Sequence, residues 1–107
     1  MNTHAQLWKI KHSLSTMGKP YCHDRIHYNR ALLYEALKRG WIDEVMRASL
    51  TVQAAKERII ELNTANGWEP SADDIRVLSL PPELTDDEIK TMYEHHELMA
   101  KIRSARL

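Results

Sequence analysis

The chain has 107 residues, of which 43% are hydrophobic and 28% are charged, which is typical of one globular domain over residues 1–107 and not of a disordered chain. Its short apolar runs predict no membrane span, its first residues predict no secretory signal, and its one cysteine, Cys22, excludes an internal disulfide, so we expect a cytoplasmic protein. The net charge is zero, but the charges are unevenly distributed. Residues 1–40 carry seven basic and two acidic residues, a net charge of +5, whereas residues 41–107 carry eight basic and thirteen acidic residues, a net charge of −5.

The first half of the chain contains helical patterns separated by glycines. The segment Thr3–Thr16 gathers its apolar residues on one side, and Gly18 follows it. Asp24 is placed to cap a second helix, which a basic last turn and Gly40 bring to an end. A short third helix over Ile42–Ala48 then follows.

A fourth and a fifth helix are predicted by capping residues. Ser49 or Thr51 is placed to begin the fourth helix, and Gly67 closes it. Ser71 and Asp74 have the spacing of a reciprocal cap at the start of a short fifth helix.

The last predicted helix follows a rigid connector that contains Pro81 and Pro82. Thr85 and Glu88 form the clearest capping box in the chain, and the helix runs from there towards Ser104. Its main apolar stripe is Ile89, Met92, Tyr93, His96, Met99 and Ala100.

These patterns predict an all-α protein, since no segment alternates in the manner of a strand. We expect a compact antiparallel bundle of four to six helices joined by short turns. The chain has no phenylalanine, so the tryptophans are its largest packing units. We expect at least two of Trp8, Trp41 and Trp68 to fill the core.

Metal binding and catalysis have weak sequence support. Cys22, His23 and His27 are close in sequence, and the two histidines would share one helix face. Structural zinc sites usually need four ligands in paired motifs, and no second pair follows, so we predict surface histidines and a packing cysteine. No oxyanion, phosphate or dinucleotide loop accompanies Cys22. We therefore expect no enzyme activity, no metal and no cofactor.

The stretch Ala36–Leu50 resembles the helix–turn–helix family. Ala36 and Gly40 are four residues apart, as that family's packing alanine and turn glycine are, and Met46 falls near its next apolar position. The resemblance implies DNA binding, although the second helix would begin with two carboxylates that repel phosphate. The residues placed to reach bases are Arg47, Ser49 and Gln53.

Recognition of a larger protein or nucleoprotein complex is the function we predict. The chain would be a non-catalytic regulator that blocks or recruits its partner, and the basic first forty residues would steer an acidic surface, or nucleic acid itself, onto it. The alternative explanation of the charge distribution is that the two parts attract each other within the fold. The predicted contact surface is Trp8, Lys9, Lys11, Lys19, Arg25, Arg30, Lys38 and Arg39.

A homodimer is the other predicted assembly. Leu98 and Ile102 form a second apolar line on the last helix, off its main stripe, where a second copy would pack. Small size and the lack of catalytic motifs would also suit an accessory protein of a mobile element.

Overall fold

A computed structural model describes residues 3–105, except for the side chains of residues 3, 4 and 92. Within this range the chain forms five helices and no strand, so the predicted all-α bundle is confirmed. None of these helices has the length and apolar content that a membrane span requires. The helices are α1 (Thr3–Leu14), α2 (Lys19–Arg39), α3 (Ile42–Asn66), α4 (Ala72–Ser79) and α5 (Asp86–Ala105).

The two long helices, α2 and α3, form an antiparallel hairpin at the centre of the fold. Lys19 Nζ at the start of α2 donates to Asn63 Oδ1 near the end of α3, at 2.9 Å. Alanines are buried along both helices and permit close approach of the two backbones. Leu14 of α1 and Val77 of α4 belong to the same buried core as residues of the hairpin. Its buried members are Leu14, Cys22, Ile26, Val52, Ala54, Ala55, Ile59 and Val77.

Left-handed glycines end both long helices, as the sequence predicts. Gly40 has a φ of 73°, and the amide of Trp41 donates back to the carbonyl of Ala36 at 2.9 Å. Gly67 has a φ of 64°, and the residue after it donates to the carbonyl of Asn63 in the same way. An L side chain rarely adopts this conformation, so glycine is required by the backbone at both turns.

The predicted cap at Asp24 is wrong, because α2 begins five residues earlier. Gly18 occupies the N-cap in an extended conformation, and Pro20 lies in the first turn. A proline at that position loses no helical hydrogen bond and has its φ already set for the helix. Gly18, which the sequence places after the first helix, is therefore also the N-cap of α2.

The predicted break between a third and a fourth helix is also wrong. Residues 42–66 form one continuous helix, so neither Ser49 nor Thr51 is an N-cap. Thr51 instead donates its hydroxyl hydrogen to the carbonyl of Arg47 at 2.8 Å, one turn back in the helix. Threonine in a helix interior satisfies its side chain in this way without interrupting the helix.

Both predicted capping boxes are present. The amide of Asp74 donates to Ser71 Oγ at 3.0 Å, and the amide of Ser71 donates to Asp74 Oδ2 at 3.1 Å. The amide of Glu88 donates to Thr85 Oγ1 at 3.2 Å, and the amide of Thr85 donates to Glu88 Oε1 at 3.1 Å. These local bonds fix the first turns of α4 and α5.

A fully buried arginine joins α5 to the hairpin. The Arg30 side chain has no exposed surface, and its guanidinium donates to both carboxylate oxygens of Glu88, at 2.6 and 2.9 Å. It also donates to the carbonyls of Pro81 at 2.8 Å and Glu83 at 2.6 Å. The guanidinium therefore holds the connector before α5 as well as its first turn.

Beyond its first turns, α5 leaves the core. Ile89 is half-buried, but every described side chain from Lys90 to Ala105 is exposed. The predicted main stripe therefore contributes little to the core: Tyr93, His96, Met99 and Ala100 are exposed, and the side chain of Met92 lies outside the described residues.

Glu88→Gln should loosen α5 and destabilise the protein by about 2 kcal/mol, because it removes the charge that balances a buried guanidinium. Amide hydrogen exchange over the first two turns of α5 should become faster, while the exchange of α2 changes less. Glu97→Gln is the matched control, since Glu97 is an exposed glutamate on the same helix. Unchanged protection of α5 in Glu88→Gln would contradict this role for Arg30.

Candidate functional site

The three tryptophans lie at the surface, which corrects the expectation that at least two fill the core. The exposed fractions are 63% for Trp8, 47% for Trp41 and 52% for Trp68. The guanidinium of Arg39 lies 5.1 Å from the Trp41 ring centre, and the ammonium of Lys19 lies 5.3 Å from that of Trp68. These cation–π contacts place aromatic rings beside cations of α2.

Three of the eight predicted contact residues are neutralised within the fold. Arg30 is buried and cannot belong to a contact surface. Lys11 Nζ lies 2.7 Å from a carboxylate oxygen of Glu57, and Lys19 Nζ lies 2.7 Å from one of Asp74. In each pair a cation of the first forty residues meets a carboxylate of the later part, so part of the charge asymmetry stabilises the fold.

The other five predicted contact residues do not form one continuous surface. Trp8 lines a cleft between α1 and α3, and Arg25 lines a depression between α2 and α3. Lys38 and Arg39 line a groove between α2 and α5, and Lys9 is exposed on α1. The structure therefore divides the predicted surface among separate places.

A buried carboxylate explains the position of Lys19. Asp74, only 1% exposed, accepts hydrogen bonds from Lys19 Nζ at 2.7 Å and Asn63 Nδ2 at 3.1 Å. His23 Nε2 lies 2.8 Å from its other oxygen, and the Ser71 amide completes the set. Burial alone would raise the pKa of Asp74, but these bonds hold it well below its usual range. The cluster fastens α4 to α2 and α3.

The side chains considered for metal binding have separate environments. Cys22 is fully buried in the core, and burial raises the pKa of its thiol. His23 is bound to Asp74, whereas His27, one turn further along α2, is exposed and lies beside the first turns of α5. Over residues 3–105, no three histidine, cysteine, aspartate or glutamate side chains are grouped to hold a metal ion.

The α2–α5 groove combines apolar and cationic groups. It has a volume of about 440 Å³, large enough for one or two bulky side chains. Tyr34 and Tyr93 meet across it with their hydroxyl oxygens 3.3 Å apart. Its lining residues are Tyr34, Glu35, Lys38, Arg39, Ile89, Tyr93 and His96.

A lysine lies at the rim of this groove. Lys38 Nζ donates to the Tyr93 hydroxyl at 3.2 Å and lies 5.8 Å from the ring centre. The hydrogen bond to Tyr93 raises the pKa of Lys38. Among residues 3–105, Lys38 has no carboxylate within ion-pair distance, whereas Arg39 has a long contact of 3.4 Å to Glu35.

The residues of the DNA-binding alternative lie on α3. Arg47 is exposed and forms an ion pair with Glu44, Ser49 is half-buried, and Gln53 donates to Glu57. The segment Ala36–Leu50 spans the hairpin turn, and its two helices pack lengthwise, whereas the helices of a helix–turn–helix unit cross steeply.

A depression between α2 and α3 has side chains that suit an anion. Arg25 and Arg47 come from neighbouring helices and line the same shallow depression of about 210 Å³. Arg25 also lies over the exposed ring of Tyr28, 5.0 Å from its centre. Two guanidinium groups beside an aromatic ring form a surface that attracts phosphate and bases.

The chain matches no protein-family model, no curated protein and no solved structure. Its function is therefore inferred from the geometry of its own surfaces.

Asp74→Asn should destabilise the protein by about 3 kcal/mol at pH 7, because it leaves Lys19 half-buried without its counter-charge. Since the pKa of Asp74 is lower in the folded than in the unfolded chain, its carboxylate stabilises the fold above about pH 4 and loses this contribution as the pH falls further. Urea unfolding followed by circular dichroism should therefore show that the difference in free energy of unfolding between Asp74→Asn and the wild type becomes smaller as the pH falls below about 4.

The neighbouring Asp73→Asn serves as the control for this substitution. Asp73 is exposed and forms an ion pair with the exposed Arg76 one turn along α4. Its replacement should change stability by less than about 0.5 kcal/mol. Equal losses in the two variants would refute a special role for the buried carboxylate.

Proposed function

We propose that the protein is a non-catalytic regulator that docks on an acidic segment of a larger protein or nucleoprotein complex and blocks or recruits it. The observation that carries this proposal is the α2–α5 groove, where an aromatic and aliphatic floor adjoins two exposed cations. Tyrosine and arginine are enriched at the centres of protein interfaces.

The chemistry of the groove selects one kind of occupant. Ile89, Tyr34 and Tyr93 offer apolar surface to one or two bulky side chains of a partner. Lys38 and Arg39 at the rim would attract carboxylates on the same segment. An amphipathic helix with acidic residues beside its apolar anchors meets both requirements.

The proposed contact surface is thus smaller than the eight residues that the sequence suggests. Lys38 and Arg39 remain in it because both are exposed and adjoin apolar surface. Lys11, Lys19 and Arg30 are excluded because each forms an ion pair with a carboxylate of another helix. The longer contact of Arg39 to Glu35 stays within α2 and leaves the guanidinium exposed. A regulator of this kind needs no cofactor, since binding alone changes the partner's availability.

Direct nucleic-acid binding is the second candidate, supported by the convergence of Arg25 and Arg47 on one depression. The ion pair between Arg47 and Glu44 opposes it, since an anion would have to displace a carboxylate. The two candidates differ in salt dependence. A protein that neutralises several phosphates loses orders of magnitude in affinity between about 50 and 200 mM salt, whereas an interface with apolar anchors loses much less.

A second copy of the chain is also a proposed partner. Leu98 is 55% exposed and Ile102 is 37% exposed, and both lie on α5 beyond its contacts with α2. We infer that this part of α5 supports self-association, and the face concerned is separate from the groove.

Lys38→Glu should weaken binding of an acidic amphipathic peptide at least about tenfold, because it replaces an attractive charge at the rim with a repulsive one. The probe is a peptide-display library of 20-residue segments panned against the wild-type protein, with affinities of the selected peptides measured by fluorescence anisotropy. Selected peptides should combine aspartate or glutamate with bulky apolar residues at helical spacing.

Lys9→Glu is the control for this experiment, because it makes the same charge change at an exposed position on α1. It should change peptide affinity by less than about twofold, because Lys9 lies outside the groove and salt screens the interaction of distant charges. Equal effects of the two variants would overturn the groove as the docking site. Binding of a DNA or RNA oligonucleotide that Arg25→Ala abolishes and salt suppresses steeply would favour the second candidate.

A further inference from the structure

The carboxyl-terminal half of α5 is a helix whose described side chains are all exposed. In the described chain, Tyr93 is the last residue of α5 that hydrogen-bonds to α2. All of the side chains from residue 94 to residue 105 are exposed. They include Leu98, Met99 and Ile102, at 55%, 37% and 37% exposure. Large apolar side chains that cluster at a surface mark a binding face.

Leu98 and Ile102 belong to a stripe of α5 that has the spacing of a coiled-coil seam. Thr91, His95, Leu98, Ile102 and Ala105 recur at alternating intervals of four and three, which keeps them on one side of a helix. Leu98 points about 180° away from Ile89 around the helix axis, and Ile102 about 140° away. Because Ile89 faces α2, Leu98 and Ile102 face away from the bundle, whereas Thr91 at the start of the stripe also borders a depression beside α2.

Two charges flank the stripe on the same side. Glu94 and Lys101 are seven residues apart, and each directly precedes an inward position of the heptad pattern. In an antiparallel pair of such helices, these flanking positions meet the same positions of the other helix. Glu94 of each copy would then face Lys101 of the other, which gives two symmetric ion pairs.

The charge of the whole helix favours the same orientation. Residues 86–97 contain five acidic residues and one lysine, whereas residues 98–105 contain one lysine, one arginine and no acidic residue. Antiparallel pairing sets the acidic half of one helix against the basic half of the other, and parallel pairing would set like charges together. A two-fold axis across the helix needs this self-complementarity.

We propose that the carboxyl-terminal half of α5 pairs with the same segment of a second copy in antiparallel orientation, with Leu98 and Ile102 in the seam and Glu94 opposite Lys101. This arrangement rests on the self-association proposed above and adds its orientation and its charge determinants. The groove formed by Ile89 and Tyr93 lies on the other side of α5 and stays open. The dimer therefore presents two grooves and binds a partner with repeated acidic segments more tightly than a monomer does.

Sedimentation velocity over a range of protein concentrations tests the association. The wild type should show a concentration-dependent dimer, and Leu98→Asp should abolish it. Ile42→Asp is the matched control, since Ile42 is an exposed isoleucine in the first turn of α3, where a carboxylate is tolerated well. A wild type that stays monomeric overturns the self-association and its orientation, whereas a dimer that survives Leu98→Asp shows that the chain associates through a surface other than the α5 seam and overturns this arrangement.

Charge exchange tests the orientation separately. Glu94→Lys alone and Lys101→Glu alone should each weaken the dimer about tenfold at low salt, since each change places like charges opposite one another twice. The double variant Glu94→Lys/Lys101→Glu should restore wild-type affinity. If Leu98→Asp abolishes the dimer but the double variant fails to restore what the single variants lose, self-association stands and the antiparallel arrangement is wrong.

Cross-linking gives an independent measure of the same geometry. Native Cys22 is fully buried, so cysteines introduced on α5 are the accessible thiols. A mixture of Thr91→Cys and Ala105→Cys proteins should form mixed cross-links with a short bismaleimide, because antiparallel pairing brings these positions near each other. In a parallel pair they would be separated by about 21 Å along the axis, and each variant would cross-link to itself instead.

Discussion

The position of α5 depends on a guanidinium group that has no access to solvent. Arginine stays charged in proteins, so its burial requires an acceptor for each buried donor and a nearby negative charge. Glu88 supplies the charge, and the carbonyls of Pro81 and Glu83 supply the remaining acceptors. The same Glu88 oxygen that accepts from Arg30 also accepts from the amide of Thr85. The capping box that begins α5 and the ion pair that docks it therefore share one carboxylate, so the helix start and its attachment form together.

Part of the unequal charge of the two parts of the chain is used in ion pairs within the fold. Lys11, Lys19 and Arg30 each meet a carboxylate from beyond residue 40, and each pair joins two different helices. A count of charges along a sequence does not distinguish exposed charges, which could attract a partner, from charges that form ion pairs within the fold. Once these pairs are removed, Lys38 and Arg39 are the basic groups that line the α2–α5 groove, which is why the proposed docking site lies at the carboxyl-terminal end of α2.

Sequence reasoning succeeded where the determining chemistry lies within one helical turn. The caps at Ser71 and Thr85 and the left-handed turn at Gly40 are local, and each was predicted correctly. It failed where a local signal has two meanings: the proline after Gly18 can end one helix or begin another, and Thr51 can cap a helix or bond back within one. Of the candidate site, the cations Lys38 and Arg39 could be predicted, because they form the basic last turn of a helix. The groove beside them could not, because Tyr34 and Tyr93 are 59 residues apart and meet only through the anchor at Arg30.

The division of apolar residues on α5 between two faces determines what the helix can do. Ile89 and Tyr93 face α2, whereas Leu98 and Ile102 face the opposite side, so packing against the hairpin cannot cover both. The twelve residues from 94 to 105 are helical, and all of their side chains are exposed. A helix of that length is marginal in water by itself, because nucleation is costly and about 12–15 residues are needed to offset it. Attachment at Glu88 and Tyr93 supplies the nucleus, and contact along the outer face would supply the missing burial. A partner in the groove and a second helix on the outer face would therefore stabilise the same element from opposite sides without competing.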